Sequence, residues 1–223
     1  MVDLNLVRSG KLKTLSGVDL QDEDFSGLDL GSVNFSGAIL SGATFSNAIL
    51  LNARFDGASM IGCALRSADL RGNWVGANLM QAELSESDLR GSNLRGANLM
   101  QARLDNAVLA GAFLNGANLM NASLQGADLR GADLRGANLS HCNLEGANLS
   151  QADLQGAILQ SANFQEADLR SANFSGADLS SANLLCADLD DVILAGATLE
   201  QACLVGTMLE DKTAEASVAL SSS

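Results

Sequence analysis

The side chains that could carry out catalysis or bind a metal are few and far apart in the sequence. The chain has one histidine, His141, next to Cys142, and three further thiols at Cys63, Cys186 and Cys203. A metal site needs close ligand spacing such as C-x-x-C, and a thiol nucleophile needs a base beside an accessible sulfur. Neither pattern is present. We therefore expect no enzymatic activity, no cofactor and no metal.

Charge and hydropathy narrow the range of partners. The formal net charge is −13, and residues 141–223 hold 12 acidic and only 2 basic side chains. A protein that follows a phosphate backbone needs clustered Lys and Arg, so direct nucleic-acid binding is not expected. No run of about 20 apolar residues could span a bilayer, and no signal-peptide pattern begins the sequence. We expect a cytoplasmic protein, with a lumenal or periplasmic location after processing as the alternative.

The elements that carry these side chains repeat every five residues. A large apolar residue, here called the centre of a unit, recurs from Leu15 to Leu70 and, after a shift of one residue, from Trp74 to Leu209. Ala usually stands two residues before the centre, and Asp or Asn one residue before it. A period of five fits neither the 3.6 of a helix nor the 2 of a strand. It fits a chain that turns a corner once per unit with centre and Ala inward, as in a polygonal β-helix.

The outward residues indicate how many sides the polygon has. Met80, Met100 and Met120 recur at a spacing of 20, which is four units, and the asparagines do the same. The sequence therefore predicts an all-β quadrilateral β-helix of about ten coils over residues 11–209. Cys63 and Cys142 stand at Ala positions and are expected to be buried. Residues 1–10 are predicted to form a short helical N-terminal cap, and 210–223 a C-terminal cap and disordered tail.

The units GADLRGADLRGANLS at 126–140, followed by GANLSQADLQGA, resemble the pentapeptide-repeat family. The resemblance implies a right-handed quadrilateral β-helix without enzymatic activity. One branch of the family, Qnr- and MfpA-like, consists of acidic rods that resemble B-form DNA, dimerise at their C-terminal ends and bind DNA gyrase or topoisomerase IV. A second branch, cyanobacterial and HetL-like, acts by protein contact. The Leu centres and unbroken coils of this chain are more similar to the second branch.

Outward-facing apolar residues are the main candidates for an interaction surface, because exposed apolar patches mark interfaces. The first candidate is the Met column with Phe113 on the adjacent face and Val108 on the next. The second candidate lies in the C-terminal coils, where it either dimerises or is covered by the C-terminal segment. Its residues are Leu185, Ile193, Cys203, Val205 and Met208.

The shift in the repeat and the charged columns have structural interpretations beside functional ones. One unit has lost its Ala and gained the only Trp, and it consists of Gly72, Asn73, Trp74 and Val75. We expect either a tolerated bulge or kink or a surface whose side chains are redirected towards a partner. The Asp columns, of which Asp128, Asp168 and Asp188 are members, are expected to form ion pairs between coils with Arg130 and Arg170.

These features together favour a protein-binding or regulatory scaffold that presents a rod-like surface to an unidentified protein partner, with a homodimer through the C-terminal coils as a further expectation. The alternative is a DNA-mimicking inhibitor or protector of a type II topoisomerase such as DNA gyrase. Against the alternative stand the arginines of the middle third, which a phosphate-like surface would lack. They are Arg66, Arg71, Arg90, Arg95, Arg130 and Arg135.

Overall fold

The computed structural model describes residues Leu6, Val7, Ser9 and 11–210, and over this range the β-structure consists of isolated single-residue bridges. All of these bridges are parallel, and most join residues 20 apart, as in Asn98 with Asn118. Among the described residues, only Leu6, Val7 and Glu210 are helical. Each five-residue unit therefore forms one side of a coil, and four sides complete a turn.

The bridges define four faces, numbered here in chain order. On each face the residue before the centre bridges to its counterpart on the next coil, so these residues form a column of rungs. The residue after the centre also points outward, and the residue after that lies at the corner. Face 1 has the rungs from Thr14 to Ile193, face 2 those from Asp19 to Thr198, face 3 those from Asp24 to Cys203 and face 4 those from Asp29 to Asp188.

From Gly17 to Gly206, every corner except the one at Gly72 is a tight turn that needs a left-handed residue. At a typical corner Ala38 N–H donates to the Phe35 carbonyl at 2.9 Å, which closes the turn, and Gly37 has φ of 65°. A positive φ at the third residue is the requirement of a type II turn. Between coils, hydrogen bonds run both ways across each rung, so the backbone polar groups of the sides are paired.

The interior holds the centres and the alanines. Nearly all centres from Leu15 to Leu189 are fully buried, with aromatic centres stacked between coils. The ring centroids of Phe25 and Phe45 lie 5.0 Å apart, and those of Phe35 and Phe55 lie 4.8 Å apart. Burial of each large centre contributes on the order of 1.5–3 kcal/mol, so the fold is stabilised by identical layers added along the axis.

Two cysteines occupy Ala positions of the core, as the sequence predicts. Cys63 and Cys142 are buried, and their thiols donate to the carbonyls of Leu40 at 2.9 Å and Leu119 at 2.8 Å. Burial raises the pKa of each thiol to about 12, because the thiolate would lose its hydration. Both are therefore neutral core residues.

One coil is a residue shorter than the others. Arg54 bridges to Asn73, which is 19 residues on, and Gly72 takes the place of both a corner residue and an inward alanine. A Cβ at Gly72 would lie 2.5 Å from the carbonyl oxygen of Ala53, so the chain passes where only glycine fits. The Trp74 ring is fully buried, stacks on Phe55 at 4.1 Å and fills the space of the shortened turn.

The predicted caps lie largely outside the described residues. At the N-terminal end Leu6 and Val7 are helical, Val7 is buried, and the Leu6 carbonyl accepts hydrogen bonds from Lys11 and Leu12 N–H. Residues 211–223 are not described. The boundaries at 10 and 210, and the form of both caps, therefore stay predictions.

Candidate protein-interaction surface

The methionine column lies on face 2. Met80, Met100 and Met120 follow the centres of three successive coils, and each is half-buried. Each methionine N–H donates to the side-chain oxygen of the asparagine two residues earlier, as from Met100 to Asn98 at 3.2 Å. The local turn therefore fixes the direction of both side chains, with the asparagine on one side of the centre and the methionine on the other.

The asparagines beside the methionines are bonded to one another. Asn98 Nδ2 donates to Asn78 Oδ1 at 3.1 Å, and Asn118 Nδ2 donates to Asn98 Oδ1 at 3.4 Å. Removing water from a side-chain amide costs less free energy when the amide already has a hydrogen-bond partner in the protein than when it was bonded to water alone. The asparagine ladder therefore lowers the cost of covering this face.

Face 2 is free of charged side chains over seven consecutive rungs, from Ile39 to Ile158. We call this the face 2 strip, and it includes Ile61, which sequence reasoning missed together with Ile39 and Ile158. The 20-residue spacing extends from the methionine rungs to Ile158, whereas Ile39 and Ile61 join the column only when the 19-residue coil is counted. The outward residues of the strip are Ile39, Ser41, Ser59, Ile61, Asn78, Met80, Asn98, Met100, Asn118, Met120, Asn138, Ser140, Ile158 and Gln160.

One edge of face 2 has no side chains. At the corner between faces 1 and 2, all ten corner residues are glycine with positive φ. The other three corners hold 19 non-glycine residues at positive φ, among them Asn47, Gln81 and Glu86. The ten glycines of the face 1–face 2 corner are Gly17, Gly37, Gly57, Gly76, Gly96, Gly116, Gly136, Gly156, Gly176 and Gly196.

Neither backbone strain nor crowding explains the glycine edge. Serine, asparagine and glutamine adopt the same left-handed conformation at the other corners, so the turn itself accepts a side chain. A Cβ built at the glycines beside the face 2 strip, from Gly37 to Gly156, meets nothing within 4 Å. What glycine provides at this corner is a bare backbone edge that another molecule can approach closely.

The structure separates Phe113 and Val108 from the methionines. Phe113 lies on face 1, 39% exposed, with the Arg95 guanidinium 4.6 Å above its ring centroid. Val108 lies on face 4, where it is half-buried and forms the rung between those of Asp88 and Asp128. These two residues are therefore not part of the surface that carries the Met column.

The C-terminal candidates are likewise spread over several faces. Leu185, Cys203 and Val205 are together on face 3, whereas Ile193 is on face 1 and Met208 lies beyond the last described corner of face 3. Ile193, Val205 and Met208 are about half exposed, at 49%, 51% and 53%. The segment that the sequence suggests as a cover for them lies outside the described residues.

The charged columns form the expected ion pairs between coils and, in addition, pairs within a single unit. Arg130 Nε lies 2.8 Å from Asp128 Oδ1, and Arg130 Nη2 lies 2.7 Å from Asp128 Oδ2. Arg170 contacts Asp168 in the same way. Contacts to the next coil measure 3.5 Å from Arg170 to Asp188 and 2.5 Å from Arg66 to Glu86. The pairs within a unit form because residues on either side of one centre project in parallel from the same face.

This pairing lowers the pKa values of the carboxyl groups. The forked bond from Arg135 is the main reason that the pKa of Asp133 falls to about 2. The pKa values of Asp69, Asp88, Asp128 and Asp168 are also lowered, in each case chiefly by the arginine two residues later. These faces therefore present neutral pairs rather than free carboxylates.

The neighbouring residues His141 and Cys142 do not face each other in the structure. His141 is exposed at a corner with φ of 60°, whereas the Cys142 thiol points into the core, so they form no nucleophile and base pair. Among residues 11–210 no group of His, Cys, Asp or Glu is arranged to hold a metal ion. The described helical residues also include no segment with the length and hydropathy needed to cross a membrane.

Comparisons with known proteins agree with this architecture. The profile described as pentapeptide repeats matches eight copies, over residues 14–47, 38–72, 73–101, 97–136, 137–176 and 172–211. A search of curated proteins returns no match. Among solved structures, HetL, a pentapeptide repeat protein involved in heterocyst differentiation regulation from the cyanobacterium Nostoc sp. strain PCC 7120, is 31% identical. The alignment covers 92% of this chain and 94% of HetL, with a TM-score of 0.47.

Two further structures are similar to the chain. Trypsin-treated QnrB1, a plasmid-mediated fluoroquinolone resistance protein, is 25% identical over 82% of this chain and 90% of its own, with a TM-score of 0.64. Rfr23, from the cyanobacterium Cyanothece 51142, is 31% identical over 52% of this chain and 90% of its own, with a TM-score of 0.43. The fold is the right-handed quadrilateral β-helix.

Proposed function

Because the chain belongs to the pentapeptide repeat family, whose members are generally non-enzymatic scaffolds, we propose that it is a non-enzymatic rod of about ten coils that binds a protein partner. The contact is made through the face 2 strip. The scaffold serves a regulatory or assembly role, since the chain contributes a rigid surface and no reacting group.

The observation that carries the proposal is the absence of charge from seven consecutive rungs of face 2 in a chain with net charge −13. On the other three faces, acids and arginines stand among the outward residues. The face 2 strip instead combines thioether side chains with amides that are bonded among themselves. Methionine is flexible and polarisable, and it is enriched in surfaces that bind proteins.

The chemistry of the strip favours a protein over a nucleic acid. A phosphate backbone needs several cations within reach, and the strip has none. A partner with an apolar, uncharged surface would lose little on leaving water and would gain contacts with the methionine and isoleucine side chains. The bare glycine edge lets the backbone of such a partner come close along one side.

Affinity capture from the native cell tests the proposal. Immobilised wild-type protein is compared with Met100→Glu and with Gln155→Glu, which adds the same charge at the equivalent outward position of face 1. We expect partners held by the wild type and by Gln155→Glu to be lost with Met100→Glu. Equal capture by all three proteins would contradict binding through face 2.

A second candidate function is mimicry of DNA towards a type II topoisomerase. It is favoured by the similarity to QnrB1, by the rod shape and by the acidic residues 141–223. It is disfavoured by the Asp–Arg forks of face 4, which neutralise carboxylates that a phosphate mimic would leave free. We rank it below the scaffold for this reason.

A gyrase supercoiling assay distinguishes the two functions. The purified protein is titrated into the reaction beside a variant with Asp178→Lys and Asp188→Lys. Inhibition or protection by the wild type that disappears in the variant would favour mimicry. No effect on gyrase, together with loss of capture by Met100→Glu, is what the scaffold predicts.

A further inference from the structure

The face 2 strip has an internal symmetry about the rung of Met100. One rung away on either side stand Met80 and Met120, both just after their centres. Three rungs away on either side stand Ile39 and Ile158, both just before their centres. The strip therefore matches itself at the central three rungs and at its two ends, whereas two rungs from Met100 the residues Ser59 and Ile61 stand opposite Asn138 and Ser140.

Such a strip is self-complementary for a second copy turned end over end. A two-fold axis that runs along the strand direction at Met100 reverses the order of the rungs but keeps every column opposite its own kind. Met100 then faces Met100 of the second copy, Met80 faces Met120, and Ile39 faces Ile158. In a parallel arrangement the methionine column would instead face the asparagine column.

The glycine edge fits the same arrangement. Because this rotation leaves positions along the strand direction unchanged, the glycine corner of one rod comes to lie against the glycine corner of the other. The two backbones can approach there without side chains between them. This accounts for an edge in which neither the turn conformation nor local crowding demands glycine.

Charge also selects this face for contact between copies. Two chains of net charge −13 repel each other, and contact through the strip brings no like charges together. Beyond the strip, Asp19 and Asp178 would come opposite each other, so the contact ends there.

The size of the strip predicts a weak contact. Seven rungs at about 4.8 Å span about 29 Å, and the outward part of a side is about 10 Å wide. The flat area is then roughly 300 Å² per copy, and side-chain relief raises the total towards the lower limit of about 1,000 Å² for a specific interface. We expect a dissociation constant in the micromolar range or above.

We propose that a second copy of this chain binds the face 2 strip as an antiparallel, two-fold symmetric dimer centred on Met100. The proposal rests on the proposed function only in taking the strip as a protein-binding surface. A heterologous partner and a second copy compete for it, so the monomer is the form that binds other proteins.

Sedimentation velocity of the full chain tests the dimer, from about 5 µM to about 500 µM. The wild-type mass should rise from 23.0 kDa towards twice that value. Met100→Glu places two carboxylates together at the axis and should raise the dissociation constant on the order of 100-fold. Glu200 occupies the same column, so the fold accepts this side chain. Gln155→Glu should behave as the wild type.

Charge pairs test the register. Met80→Glu and Met120→Lys should each weaken self-association, and an equimolar mixture of the two should associate more tightly than either alone. A mixture of Met80→Glu with Met80→Lys should not, because the antiparallel register holds these positions two rungs apart. The reverse result would overturn the antiparallel arrangement.

The remaining outcomes separate this proposal from its alternatives and from the proposed function. A wild type that stays at 23.0 kDa throughout overturns the dimer, and loss of partner capture by Met100→Glu would then still support the scaffold. A dimer that survives Met100→Glu but is lost in Val205→Asp overturns the proposal in favour of the C-terminal coils. A dimer lost in Met100→Glu with unchanged partner capture keeps the dimer and refutes heterologous binding through the strip.

Discussion

Restoring the missing residue of the short coil should make its tryptophan unnecessary. Arg71, Gly72, Asn73 and Trp74 read RGNW, whereas the units at 95–99 and 135–139 read RGANL. Inserting Ala after Gly72 and changing Trp74→Leu therefore rebuilds a unit that the chain already uses elsewhere. We expect this double variant to unfold with a free energy within about 1 kcal/mol of the wild type.

Each single change should be costly for an opposite reason. Trp74→Leu removes roughly 60 Å³ from a fully buried position, which costs about 1.5 kcal/mol for the cavity alone. It also leaves the Leu70 carbonyl without the indole N–H that now donates to it at 2.8 Å, for about 1 kcal/mol more. With lost stacking on Phe55, the total is about 3 kcal/mol. The insertion alone overfills the restored coil and should cost about 1–3 kcal/mol.

The measurement is urea unfolding followed by far-ultraviolet circular dichroism, since the chain has no other tryptophan to report by fluorescence once Trp74 is replaced. Phe45→Leu is the control for the effect of shrinking a buried aromatic centre by itself, because Phe45 lies in a coil of full length. We expect strong coupling between the insertion and Trp74→Leu. If the double variant loses the sum of the two single losses, Trp74 does not fill the space of the missing residue.

Three further predictions concern particular contacts. Gly72→Ala should lower the free energy of unfolding by about 1–3 kcal/mol in urea unfolding, more than the same change at a corner glycine with open space, because its Cβ meets backbone. The depressed pKa of Asp133, about 2 against an ordinary 3.8, means that its pairing stabilises the fold above pH 4 and that this contribution is lost as the pH falls from about 4 to about 2. Arg135→Gln should reduce that acid-dependent loss only slightly, because solvent around the exposed Arg135 side chain screens the pair, and an unchanged pH profile of the urea midpoint would contradict the pairing. Cys63 and Cys142, with thiol pKa values raised to about 12, should react with a thiol reagent at pH 8 only after unfolding, and rapid labelling of either in the folded protein would refute their burial.

The proposed binding surface shows where the repeat pattern was sufficient and where it was not. The spacing of Met80, Met100 and Met120 is enough to place them in one column, because outward residues 20 apart must stack in a four-sided coil. Ile39 and Ile158 share a column only because the coil from Ser59 to Asn78 has 19 residues, so the 20-residue spacing alone does not relate them. The spacing also places Phe113 on the face beside the methionines, whereas the Arg95 guanidinium over its ring is visible only in the tertiary structure.

The sequence by itself determined the period of five, the four sides, the inward alanines and the burial of Cys63 and Cys142, since each follows from a local repeat whose units all obey the same steric rule. Only the tertiary structure decided how the side chains pair. Arg130 could reach Asp128 in its own unit or a carboxylate on the next coil, and the parallel projection from one face selects the first. The glycine edge likewise became meaningful only when 19 other residues were seen to adopt positive φ without being glycine.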